Sequence, residues 1–116
     1  MLNRAALLLR YKEPAIRWIN EADPSPSGND ITLEDANLER SVYLISDDDA
    51  DTAEAVRRWV EANFRALFET ELESWYTEPD LWPSQLSLKL FDDWFSVECH
   101  SMLFDTVGGV IEDDET

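Results

Sequence analysis

One apolar stripe between Val56 and Trp75 constrains the fold of this chain more than any other sequence feature. Its large apolar residues recur at intervals of three and four positions: Val56, Trp59, Val60, Phe64, Leu67, Phe68, Leu72 and Trp75. This spacing places them on one side of an α-helix of roughly seven turns. A helix with one apolar face must pack against other elements, so the remaining segments have to supply a sheet or further helices beside it.

Four aspartates come directly before this helix, in the stretch ISDDDADTAEAV. They are Asp47, Asp48, Asp49 and Asp51. Asp51 could cap the helix, with Glu54 at the third helical position as in a capping box. The other carboxylates would lie near the positive end of the helix dipole. The pattern favours a helix start with a solvated turn, and the second interpretation is part of an acidic docking surface.

The same aspartates also suit the opening of a calcium-binding loop, which uses the pattern D-x-D-x-D. The match then fails, because Thr52 stands where such a loop needs glycine and Arg58 where it needs a bidentate glutamate. The sequence excludes a tight EF-hand site and leaves weak divalent-cation binding as the third interpretation of this turn. No dedicated metal site and no cofactor are predicted.

Other segments surround the long helix. Strands are predicted at Ala5–Tyr11, Arg40–Ser46 and Ser96–Asp105. Pro14 suits the first turn of a helix that ends at Asp23, before the loop DPSPSGND, and Thr32 could cap a short helical turn. Leu86–Phe95 fits a helix or a strand. We favour a helix capped by Ser87, because FDDWF then places its charges and aromatic rings on opposite sides; as a strand, this segment would form a hairpin with the last strand.

The element order is therefore β-α-β-α-(α)-β. It predicts a two-layer α+β sandwich with a small three- to four-stranded sheet and helices mainly on one face. We expect one globular domain over residues 1–107 and a flexible acidic tail over 108–116. The long helix should pack on a sheet face built from Leu7, Leu9, Val42, Leu44, Val97 and Cys99.

The formal net charge of -17 bears on the choice of partner. Nucleic acids and anionic membranes would repel such a chain, whereas a basic protein surface complements it. No apolar run approaches the ~18 residues of a membrane span, and the single cysteine rules out an internal disulfide. These features favour a cytoplasmic protein, monomeric or weakly homodimeric.

Seven acidic residues and one tryptophan are the candidate partner-binding residues. The candidates are Asp47, Asp48, Asp49, Glu69, Glu73, Glu78, Asp80 and Trp82. Trp82 lies between prolines and could act as an exposed aromatic anchor, since tryptophan is enriched at binding hot spots.

Cys99 and His100 are adjacent, but neighbouring residues on a strand point to opposite faces and cannot form a catalytic dyad. Cys99 is expected to be a small buried hydrophobe. Glu98 and His100 share a face and could form an acid/base pair, yet no nucleophile or phosphate loop accompanies them.

The segment LWPSQLSLKLFDDWFSVECHSMLFD, together with VYLISDDDADTAEAVRRWVE, resembles short acidic bacterial proteins of uncharacterised function. The resemblance extends over most of the chain and implies a stand-alone bacterial cytosolic domain. It brings no activity, cofactor or site residue.

Three functional hypotheses follow. The first is a non-enzymatic acidic interaction protein that docks a basic protein surface, in the manner of a nucleic-acid mimic. The second is a small enzyme or ligand-binding domain that uses Glu98 and His100. The third assigns the acidity to a salt-adapted proteome, because only two of the nine basic residues are lysines.

Overall fold

Three strands and four α-helices form the fold in a computed structural model that describes residues 1–23 and 30–113. In chain order they are β1 Arg4–Tyr11, α1 Glu13–Ala22, α2 Leu33–Leu38, β2 Val42–Ser46, α3 Ala53–Trp75, α4 Leu88–Trp94 and β3 Phe95–His100, with 3₁₀ turns at Asp47–Ala50 and Pro79–Leu81. Most of the loop predicted between α1 and α2 lies outside the described residues.

The sheet has β1 at its centre, with β2 and β3 paired antiparallel on either side. All four helices contribute buried side chains to the single core on one side of this sheet. The predicted α+β fold class is therefore confirmed. None of the helices in residues 1–23 and 30–113 is long and apolar enough to cross a membrane.

Phe68 lies at the centre of the core. Its ring centroid is 5.9 Å from that of Phe91, 5.3 Å from Trp94 and 5.6 Å from Phe95. These contacts join α3 to α4 and to the start of β3, with mainly edge-to-face geometry, which aromatic pairs prefer. The apolar stripe of α3 thus packs inward, as its spacing predicts.

One side of the sheet faces away from the helices. We call its outward-facing residues the open sheet face: Arg4, Ala6, Leu8, Arg10, Val42, Leu44, Ser46, Ser96, Glu98 and His100. The expectation that Val42 and Leu44 belong to the core face is wrong. Tyr43 pairs with Leu7 and Ile45 pairs with Ala5, so these two alternate residues of β2 point inward. Paired residues share a face, which settles the choice that the apolar sequence VYLI leaves open.

The helix starts depend on hydroxyl side chains. The Thr52 hydroxyl accepts the backbone N–H of Ala55 at 3.0 Å, so Thr52 caps α3 and the predicted cap at Asp51 is wrong. The Ser87 hydroxyl accepts the N–H of Leu90 at 3.1 Å and begins α4, which confirms the helical interpretation of that segment. A capping box at Thr32 begins α2.

β3 follows α4 without an intervening residue and ends at His100, not at Asp105 as predicted. The pairing with β1 stops at Ala6–His100, and beyond it the Leu2 N–H donates to the Leu103 carbonyl at 2.7 Å. Residues 101–113 contain no helix or strand. The radius of gyration of 15.9 Å exceeds the roughly 13 Å of a compact chain of this length.

The two faces of the sheet give a first prediction. Leu67 is buried in the core, whereas Leu44 lies on the open sheet face and is 51% exposed. Leu67→Ala should lower the free energy of unfolding by about 2–5 kcal/mol, and Leu44→Ala by less than about 1 kcal/mol. Denaturant titration of both variants measures the difference. Equal losses would contradict the β2 register.

Candidate functional site

The predicted docking residues fall at opposite ends of α3. Asp47, Asp48 and Asp49 lie in the 3₁₀ turn before its first residue. Glu69 and Glu73 lie in its last two turns. A helix of 23 residues spans about 34 Å, so these groups cannot contact one basic side chain together.

The aspartate turn is organised by its own backbone. The Ser46 hydroxyl accepts the N–H of Asp48 at 3.3 Å, and the N–H of Asp47 donates to the carbonyl of Asn3. In the part of the chain that the structure describes, no three His, Cys, Asp or Glu side chains are placed to hold a metal ion. The turn is a solvated group of carboxylates before the N-terminus of α3.

The other end of α3 borders a cavity of about 440 Å³, which we call the acidic groove. Three carboxylates line it: Asp23 at the end of α1, Glu73 on α3, and Glu78 just beyond α3. Trp75 and Tyr76 supply aromatic surface. No Lys, Arg or His is among the lining residues, and none of the three carboxylates forms an ion pair with another described residue.

Tyr76 fixes the wall of the acidic groove to α1. Its backbone N–H donates to the Leu72 carbonyl at 2.9 Å and ends α3, while its hydroxyl donates to the Ile19 carbonyl. Partial burial and the nearby charge of Asp23 raise the pKa of the Tyr76 hydroxyl. The charge of Asp23 therefore contributes a negative potential at the Tyr76 hydroxyl in the groove wall.

Trp82 closes the loop that carries Glu78. Its indole N–H donates to the Tyr76 carbonyl at 2.8 Å, and the indole N–H of Trp18 donates to the Leu81 carbonyl at 2.9 Å. Trp82 packs against the core and is only partly exposed. Trp82 thus holds the backbone of Tyr76, a groove residue, without lining the groove itself. Its role as an anchor for a partner stays a prediction.

The remaining two candidates lie outside the groove. The Glu69 carboxylate forms an ion pair with Arg65 at 3.3 Å. Asp80 is exposed in the 3₁₀ turn Pro79–Leu81. Sequence reasoning missed Asp23, which lies fifty positions before Glu73. Only the packing of α1 beside the end of α3 brings the two carboxylates to one cavity.

Glu98 and His100 lie on the open sheet face, as their alternation predicts. The carboxylate of Glu98 is 3.0 Å from Arg40 and 3.7 Å from the exposed imidazole of His100. The hydrogen bond from Arg40 lowers the pKa of Glu98. Cys99 points to the other face, where it is partly buried, and burial raises the pKa of its thiol.

A buried carboxylate escaped the sequence interpretation. Glu71 is only 6% exposed, and it accepts the hydroxyl of Tyr11 at 2.6 Å and the hydroxyl of Tyr43. The indole N–H of Trp75 donates to the Tyr11 oxygen at 2.8 Å. Its position in the sequence could have indicated its burial. Glu71 follows Leu67 by four residues and Phe68 by three, which is the spacing that defines the apolar stripe.

The two tyrosines make the protein sensitive to alkali. Burial, together with the negative charge of Glu71, raises the pKa of Tyr11 and of Tyr43 well above the ordinary value. Both hydroxyls therefore stay protonated in the folded state at a pH where the unfolded chain begins to lose these protons. Their contribution to stability is complete below about pH 10 and is lost as the pH rises further.

This loss of stability with rising pH gives a second prediction. Above about pH 10, each such tyrosine should lower the free energy of unfolding by about 1.4 kcal/mol per pH unit. Tyr43→Phe removes one of them, so its stability should fall with pH less steeply than that of the wild type by about this amount. Denaturant titrations between about pH 9 and 11.5 test this. Parallel curves would mean that the Tyr43 hydroxyl titrates alike in both states.

Comparison with known proteins returns no match: no family model, no curated protein and no solved structure corresponds to this chain. The resemblance to short acidic bacterial proteins therefore stays a prediction.

Proposed function

We propose that this chain is a non-enzymatic interaction protein whose acidic groove docks a basic surface of another protein. The observation that supports this proposal is the set of three carboxylates around one cavity that has no Lys, Arg or His among its described lining residues. Asp23, Glu73 and Glu78 have no ion pair among the described residues, so their charge is available to a partner.

The groove suits a lysine or arginine side chain. Carboxylates supply charge-assisted hydrogen bonds, and the surfaces of Trp75 and Tyr76 can contact the aliphatic stem or the cationic head. Hydrogen bonds from Tyr76 and Trp82 hold the groove walls in place. These aromatic walls need no ordering on binding, and the side chains to be ordered are the exposed carboxylates of Glu73 and Glu78.

The separation of charge supports docking over salt adaptation. The acidic groove has three carboxylates and no basic residue, while the open sheet face carries Arg4 and Arg10 against the single acidic residue Glu98. A composition adjusted only for solubility in salt requires no such division.

The enzymatic alternative has weaker support. A general base needs a free carboxylate or imidazole beside a bound substrate. The Glu98 carboxylate is instead paired with Arg40, and His100 is exposed on the open sheet face. We therefore assign no catalytic residue. A cytoplasmic setting and the exclusion of nucleic acid as a partner remain part of the proposal.

The third prediction separates specific docking from general attraction. A basic partner is first captured from native lysate at low salt, and its binding kinetics are then measured with two variants. The groove variant is Asp23→Asn/Glu73→Gln/Glu78→Gln. The turn variant, Asp47→Asn/Asp48→Asn/Asp49→Asn, removes the same charge at the opposite end of α3.

Both variants should slow association similarly, because steering depends on net charge, and higher salt should slow association of the wild type. Only the groove variant should also dissociate faster, by about tenfold, because it loses contacts made after encounter. Equal dissociation rates for the two variants, or failure to retain any basic protein, would contradict the proposal.

A further inference from the structure

The open sheet face is the one side of the sheet that the helices leave uncovered. At its middle, Leu8 of β1 pairs with Val42 of β2, and Leu44 lies beside them. Val42 and Leu44 are 54% and 51% exposed. Adjacent large apolar side chains on a solvent-facing sheet favour a contact with another segment of protein.

The charge of this face is opposite to that of the chain. Arg4 and Arg10 project from β1, and the guanidinium of Arg40 reaches the face to pair with Glu98 at 3.0 Å. Three arginines against one glutamate leave the face with two positive charges, in a chain of net charge -17. An acidic segment with apolar side chains is the complementary ligand.

The chain itself contains such a segment. We call residues 101–113 the C-terminal arm. Five of its large apolar residues are 61% to 87% exposed: Met102, Phe104, Val107, Val110 and Ile111. Between and beyond them lie Asp105, Glu112 and Asp113, followed in the sequence by Asp114 and Glu115. The C-terminal arm thus combines exposed apolar groups with negative charge and contains no Lys or Arg.

The C-terminal arm is long enough to cross a sheet. Thirteen extended residues reach roughly 43 Å, which exceeds the 31 Å and 26 Å of the two shorter dimensions of the molecule. Gly109, with φ of 153°, adopts a conformation that favours glycine and gives the arm a bend near its middle. Val42 and Leu44 remain 54% and 51% exposed, so the described part of the arm does not cover these two side chains of its own sheet.

We propose that the open sheet face binds the C-terminal arm of a second copy of this chain. One chain carries both the apolar, basic acceptor and the apolar, acidic donor, and two copies can satisfy both by reciprocal exchange. The long-range repulsion between two acidic chains is screened beyond about 8 Å at 0.15 M salt, whereas the arm and the face meet at contact distance.

The experiment measures the mass of the full chain by sedimentation velocity at 0.15 M NaCl, from roughly 10 μM to 1 mM. The wild type should form a dimer within this range. Arg4→Glu/Arg10→Glu places two negative charges on the acceptor and should weaken dimerisation by about tenfold or more. Its matched control, Arg58→Glu/Arg65→Glu, makes the same change in net charge on the outer side of α3 and should have a smaller effect.

A rescue variant tests contact between the two surfaces. Adding Asp105→Lys/Glu112→Lys to Arg4→Glu/Arg10→Glu should strengthen dimerisation by about threefold or more relative to Arg4→Glu/Arg10→Glu alone, since it replaces two repulsive charges of the arm by attractive ones. Circular dichroism verifies that each variant is folded. A protein that stays monomeric throughout the range, a control variant as weak as the face variant, or a rescue variant that remains weak would overturn the proposal.

Docking of the arm on its own sheet would also overturn it. In that case, nuclear magnetic resonance shifts of Leu44 would change when the arm is deleted, but they would not depend on protein concentration. Exchange between copies instead predicts shifts that grow with concentration in parallel with the sedimentation data.

Discussion

The buried carboxylate of Glu71 is the interaction on which the arrangement of sheet and helices depends. A carboxylate removed from water must receive hydrogen bonds, and the hydroxyls of Tyr11 and Tyr43 supply them from two different strands. If β2 slipped by one residue, Tyr43 would point outward and Glu71 would lose a donor. The same bonds therefore fix the register of β2 and decide that Val42 and Leu44 face solvent.

The acidic groove follows from the same interaction. Glu71 and the indole of Trp75, which donates to Tyr11, fix the rotation of the last turns of α3 against the sheet. With that rotation set, Glu73 points to the opposite side, toward the end of α1 and Asp23. The polar contact inside the core and the charged cavity at the surface are two consequences of one helix orientation.

Local signals predicted most of the elements, and pairing between distant segments explains the rest. The stripe of α3 and the serine at position 87 indicate helices because periodicity and capping are local properties. The side of β2 that faces the core could not be predicted, because VYLI is apolar at every position. Glu71 was missed because the stripe was traced through apolar residues only. Of the groove, Glu73 and Glu78 were predicted, but Asp23 required knowledge of how α1 packs.

The direct junction between α4 and β3 makes the two ends of β3 differ in how they can change during evolution. Trp94 ends the helix and Phe95 begins the strand, and the Trp94 carbonyl accepts the N–H of Lys12 at 2.8 Å. One residue inserted there would turn Val97 and Cys99 to the outer face, or else break the pairing of Phe95 with Tyr11. In the described residues after His100, 101–113, no strand pairing constrains the length of the chain. Insertions and deletions in related sequences should therefore accumulate after β3 and be absent from the junction between α4 and β3.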